Sequence, residues 1–212
     1  MAVTSPAEHP PGDLGLRERK KRDTRAALIG AALRLAAERD LGSVTVEEIS
    51  AAANVSVRTF FNYFRNKEDA VTGGGVIAGE RLIRLLSEAP ADVTVLAAVQ
   101  CAMQAEAEAI ERNPEGLMLV LTITERSPSL RPQLFAAVEE DLLADLAAAI
   151  GRRTGLDPAT HGYPGLIAAV TSAAFRHAIF RWHDGGRVRA LTELLDEAFG
   201  TLAAGLPEPA IP

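Results

Sequence analysis

An all-α fold is predicted by three features of the sequence. Apolar residues recur at three- and four-residue steps, Pro, Gly and Asn punctuate the blocks between them, and strand-like alternation never lasts more than a few residues. Composition agrees: of 212 residues 48% are hydrophobic but only 5% aromatic, with Ala and Leu dominant, as in a helix-favouring globular protein. A chain of this length builds one sizeable core, or a small domain joined to a larger one. The spacing predicts the second arrangement: a tail over 1–15, a helix-turn-helix domain over 16–70, and a larger helical domain over 71–212.

Residues 1–15 are proline-rich and acidic and read as a disordered tail, without the basic-then-apolar order of a leader. From Arg25, the residues Leu28, Ile29, Ala32, Leu35 and Ala36 form one helical stripe that Gly42 stops. Thr45 with Glu48 three residues on is a capping box for a short second helix carrying Ile49 and Ala52. Asn54 tolerates the left-handed backbone of a sharp turn. Ser56 then caps a third helix, predicted over 57–64, with Phe60 and Phe64 one turn apart on its inner face. Two short helices joined by a tight turn make a helix-turn-helix.

Lys67-Glu68-Asp69 opens the next helix with acids where the dipole favours them. It runs into Gly73-Gly74-Gly75, where each glycine costs ~1 kcal/mol against alanine, so a break or a soft joint is expected there. Further helices are predicted at 76–88, 93–112, 115–126, 131–153, 163–183 and 188–204.

Charge is divided unequally. Residues 16–70 hold 11 Lys/Arg against 8 Asp/Glu, whereas 71–212 hold 11 against 18, within a whole-chain net charge of -6. The excess concentrates in Arg17, Arg19, Lys20, Lys21, Arg22 and Arg25. That is the footprint of a nucleic-acid module fused to an acidic partner domain. On the third helix Val57, Arg58, Thr59, Asn62 and Tyr63 are left facing outward, with Ser56 at its start. Arginine can bond both guanine acceptors in the major groove, and asparagine can do the same to adenine. The hydroxyls of Thr59 and Tyr63, and the cations Arg19, Lys20 and Lys67, suit phosphates, which fix register. Thr45 is a further candidate, through a helix N-terminus aimed at a phosphate.

The stretch Thr45-Val46-Glu47-Glu48-Ile49, Val55-Ser56, Thr59-Phe60-Phe61-Asn62-Tyr63-Phe64 and Lys67-Glu68 resembles the DNA-binding domain of the TetR family of bacterial regulators, over about residues 20–70. The family often carries glycine at the position of Asn54 and a Tyr-His pair at Phe61-Asn62. Here a phosphate-bonding hydroxyl and an imidazole are therefore missing, and Phe61 is expected to pack. The resemblance implies a cytoplasmic transcriptional regulator, a repressor in the first instance, that binds a palindromic double-stranded DNA operator as a homodimer and is released by a small-molecule effector. It implies a four-helix bundle from the last two helices of each subunit. Leu166, Ile167, Val170, Ala174 and Ala178 on one, and Leu191, Leu194, Leu195, Ala198, Phe199 and Leu202 on the other, are its candidates. Two reading helices would then meet successive major grooves ~34–36 Å apart.

The effector is expected within 76–185, where Met103, Gln104, Met118, Thr122, Phe135, Phe175 and Trp182 combine apolar lining with polar handles. The alternative is a helical ligand-binding or protein-interaction module whose DNA binding is vestigial. No enzyme, metal or cofactor is expected. His177 and His183 are six apart rather than on one helix face, and no G-x-S-x-G, phosphate loop or Cys/His cluster is present. The longest apolar run, 116–123, is far short of the ~20 residues of a membrane span. The single cysteine, Cys101, excludes a disulfide within the chain and reads as a small core residue in a reducing compartment.

Overall fold

The computed structural model describes residues 12–126 and 131–207, apart from the side chains of 12–15, 74–77 and 131–140. All regular structure among the described residues is helical, as the fold class predicted. In order these are α1 (Gly12–Glu38), a 3₁₀ turn (Leu41–Ser43), α2 (Val46–Ala52), α3 (Val57–Phe61), α4 (Lys67–Glu88), α5 (Val95–Arg112), α6 (Glu115–Arg126), α7 (Arg131–Thr154), α8 (Gly162–Asp184) and α9 (Leu191–Ala203). The chain divides into two compact units between Val71 and Thr72.

In the first unit, α1 buries Leu28, Ile29, Ala32, Leu33 and Ala36. Ala52, expected inward, is exposed, and Leu35 is only half-buried. Leu41 and Val44, flanking the 3₁₀ turn, are buried instead. The capping box forms as expected. Thr45 Oγ1 accepts the Glu48 amide at 3.2 Å, and the Thr45 amide donates to Glu48 Oε2 at 2.9 Å. Arg39 adds a 2.8 Å ion pair to the other carboxylate oxygen. The Thr45 amide, seconded by Arg39, holds the Glu48 carboxyl below its usual value of 4.5.

Lys67 closes this unit. Its Nζ donates to the carbonyls of Leu41, Gly42 and Val44 at 2.8, 3.1 and 2.9 Å, so all three ammonium protons are engaged. The first residue of α4 is thereby tied to the connection that leads into α2.

The expected break at Gly73-Gly74-Gly75 is absent, since α4 runs unbroken from Lys67 to Glu88. Packing, rather than propensity, decides whether a helix persists in a folded chain. A different glycine leaves room for a neighbouring side chain. A Cβ on Gly79 would lie 2.9 Å from Leu142 Cδ1, so its absence lets the α7 side chain approach α4.

The core of the second unit gathers Leu86 of α4, Val99 and Met103 of α5, Leu146 and Ile150 of α7, Trp182 of α8, and Leu191, Leu195 and Phe199 of α9. Polar clips bind α5 to α9: Gln100 donates to Asp196 at 2.8 Å and the Thr192 amide to Glu111 at 3.1 Å. Arg153 straps the turn after α4 by donating to the carbonyls of Ala89 and Val93 at 3.0 and 2.9 Å, and to Pro90. Cys101, expected in the core, is exposed. No described helix is long and apolar enough to cross a membrane.

Two outcomes follow for the first unit. Lys67→Met strands three carbonyls of a charged hydrogen-bond cluster and is expected to cost about 1.5–3 kcal/mol, seen as an earlier loss of helical circular dichroism in urea. Because the Glu48 carboxyl is held low by folding, its contribution is present above its ordinary value of 4.5 and is lost as pH falls through the lower folded one. Glu48→Gln keeps a capping side chain but does not titrate. Its urea midpoint is expected to fall less than that of the parent between neutral pH and about pH 3.

Candidate DNA-reading face and effector region

The turn between α2 and α3 is a Schellman closure. Asn54 takes φ 55°, its amide bonds the Ala51 carbonyl at 3.0 Å, and the Val55 amide bonds Ser50 at 2.9 Å. Ser56 caps α3 by accepting the Thr59 amide at 3.0 Å, and the two hydroxyls share a 2.8 Å hydrogen bond. The third helix is shorter than predicted. It spans Val57–Phe61 with Asn62 as its C-cap, rather than 57–64. Yet the Phe64 amide still reaches the Phe60 carbonyl at 3.0 Å, which keeps Phe64 one turn below Phe60. Both rings are buried, 5.7 Å apart, and the Arg25 guanidinium sits 5.6 Å from the Phe64 ring centre. The inner face is as the sequence placed it.

The outer face differs in detail. Arg58 and Asn62 are exposed, as is Ser56, while Val57, Thr59 and Tyr63 are half-buried. Phe61, expected to pack, is 55% exposed and meets only the edge of Phe60 within the aromatic cluster, at 5.4 Å and 86°. Of these adjacent rings Phe60 is the one that enters the interior.

Hydrogen bonding sorts the cations of the first unit. Arg39 is paired with Glu48, Arg65 with Asp69 at 3.0 Å, and Lys67 with carbonyls. Among the described residues Arg58 has no side-chain partner, and neither do the exposed Arg17, Arg19, Lys20, Lys21 and Arg22 of α1. The cations without internal partners therefore lie on α1 and α3. Thr45 and Lys67, candidate phosphate clamps, have their polar atoms committed internally, and the first turn of α2 carries Glu47 and Glu48, like-charged with a phosphate.

The described effector candidates are all engaged within the second unit. Met103 and Trp182 are buried core residues, and Met118 and Phe175 pack against the same cluster. Thr122 spends its hydroxyl on the Met118 carbonyl of its own helix at 2.9 Å. Gln104 points to α9, donating to the Thr192 carbonyl at 3.1 Å and to Asp196. The side chain of Phe135 lies outside the described residues. Burying Met, Phe and Trp at helical spacing is ordinary core construction, and the clip from Gln104 to α9 depends on a neighbour 88 residues away.

An open groove of about 340 Å³ lies between α8 and α9, lined by Val170, Ala174, His177, Arg181, Glu197 and Leu202 among others. Earlier on α8, Leu166 is 60% exposed and Tyr163 44%. The bundle candidates thus divide. Leu191, Leu194, Leu195, Phe199 and Ala178 are consumed by the core of their own chain and Ile167 packs against it, whereas Val170, Ala174, Ala198 and Leu202 line the groove and Leu166, one turn before Val170 on α8, is exposed. At the groove Glu197 receives Arg181 at 2.7 Å and Arg189 at 2.8 Å, and these two arginines hold its carboxyl below the usual range. Among the described residues no cluster of three potential metal ligands forms.

Residues 28–71 match the family model described as bacterial regulatory proteins, tetR family, and residues 93–207 match the MftR C-terminal domain. The HTH-type transcriptional regulator TcmR of Streptomyces glaucescens is 32% identical over 190 residues, covering 87% of this chain and 82% of that protein. Among solved structures, the fatty acid degradation regulator FadR of Bacillus halodurans shares the fold at a TM-score of 0.59 and 18% identity, over 96% of this chain and all (100%) of that one. The FadR of Thermus thermophilus, a transcriptional repressor in complex with lauroyl-CoA, does so at a TM-score of 0.53 and 22% identity, over 89% of this chain and 98% of that one. Matches to both the N-terminal reader and the C-terminal domain, together with the identity to TcmR, show that this chain belongs to the TetR family of bacterial regulators.

Proposed function

We propose that this chain represses transcription by binding a palindromic operator as a homodimer, with α3 of each copy in a major groove, and that a small molecule bound in the second unit releases it. The family is one of transcriptional regulators rather than enzymes, and DNA binding through the helix-turn-helix is its shared activity. The observation that carries the reading is Arg58. On an otherwise anchored helix its guanidinium is exposed and has no internal partner among the described residues, as a base-reading arginine requires. Asn62, exposed at the end of α3, is the second proposed base contact, and Ser56, Val57, Thr59 and Tyr63 border the DNA. Arg19 and Lys20 supply phosphate contacts that carry no sequence information. Thr45 and Lys67 are left out of this contact set because their polar atoms are used within the protein.

Dimerisation is proposed through the groove side of α8 and α9, where Leu166 and Tyr163 are exposed in the single chain beside half-buried Val170 and Leu202. Small residues there, Ala173, Ala174 and Ala198, suit close helix approach. Effector control is supported by the lauroyl-CoA complex of the Thermus thermophilus repressor, whose fold this chain shares. For the effector to release DNA it must favour the DNA-incompetent state, typically by 1–3 kcal/mol.

Selection from random duplexes, followed by gel-shift titration, is the test. A twofold-symmetric site is expected. Arg58→Ala should weaken binding to it about 5- to 150-fold and relax the preference at one position per half-site. Arg19→Ala or Lys20→Ala should weaken all duplexes evenly and reduce the salt slope by about one. An unaltered affinity in Arg58→Ala would leave the reader function without support.

A further inference from the structure

We propose that Phe61 reads a thymine 5-methyl group in each half-site, giving the protein an apolar specificity contact beside Arg58. The inference rests on α3 being the helix that enters the major groove.

Phe61 is a large apolar side chain left 55% exposed on a five-residue helix. Phe60 and Phe64 occupy the interior, and Phe61 touches the cluster only edge to face. That single contact is still useful, because it restrains the ring without covering it. Arg58 and Phe61 are three residues apart, so they are neighbours on the helix surface and approach the same surface together. The ring has neither donor nor acceptor and cannot bond a phosphate or a polar base edge. In the major groove the exposed apolar group is the thymine methyl, which the other three bases lack. Removing both apolar surfaces from water then favours thymine at that position. With Arg58 suited to guanine, the pair would read a guanine and a thymine close together in each half-site.

The experiment uses the full-length dimer and the symmetric site recovered by selection. Each thymine of one half-site, and its symmetry mate, is replaced in turn by uracil, which removes the methyl and leaves the pairing edge intact. At one thymine position, uracil is expected to weaken the parent protein roughly fourfold per methyl, the value of one buried methyl-sized group. Phe61→Ala should bind the thymine site more weakly and lose the distinction between thymine and uracil there, while keeping it elsewhere. Phe61→Leu, which retains an apolar side chain, should keep part of the distinction. Circular dichroism and low-salt binding to an unrelated duplex show that both variants are folded. A symmetric site with no uracil-sensitive position, or a sensitivity that Phe61→Ala leaves unchanged, overturns the role of Phe61 while leaving the operator reading intact. Failure to recover any symmetric site overturns the operator reading itself, and this contact with it.

Discussion

Everything on the candidate reading face depends on the burial of Phe60. A helix of five residues cannot sustain itself in water, because one or two backbone hydrogen bonds do not offset the cost of nucleation. Here α3 is held from outside its own backbone. Phe60 is fully buried, Phe64 follows it one turn later, and both ends of the segment are closed, by Ser56 at one and the Asn62 C-cap at the other. Anchoring by side chains on one face fixes the direction of the other. Arg58, Phe61 and Asn62 are exposed as a consequence of where Phe60 goes, and no further device is needed to present them.

Much of this is legible in the sequence because it is local. The capping box at Thr45 and Glu48, the Asn54 turn and the Phe60/Phe64 pair are each decided within six residues. What escapes depends on distance. The bonds from Lys67 to Leu41, Gly42 and Val44 span more than twenty residues, and a lysine opening a helix just after the third one reads as a phosphate contact until those carbonyls are located. Gln104 is similar, its partners lying on α9. Periodicity carries α3 past its true end because Phe64 keeps the helical register, bonding Phe60 after the helix has closed. At the triple glycine the break that propensity allows does not occur, since ~1 kcal/mol per glycine does not by itself end a helix of 22 residues.

The apolar residues of α8 and α9 show a second limit of sequence reading. Periodicity finds a stripe but not what covers it. Leu195 and Phe199 lie under their own chain, whereas Leu166 stands in solvent, although all are apolar positions on neighbouring helices. Charge divides in the same way. Arg39, Arg65 and Lys67 serve the fold, and Arg58 with the α1 cations keeps its capacity for outside partners, a separation invisible in a count of basic residues.

The position of Trp182 gives the protein an internal optical reporter. It is the only tryptophan in the sequence, is 6% exposed, and belongs to the core of the second unit, whereas the first unit contains no tryptophan. Indole emission therefore follows melting of the second unit alone, and far-ultraviolet ellipticity follows both. A gap between the two melting curves measures directly how independently the two units come apart.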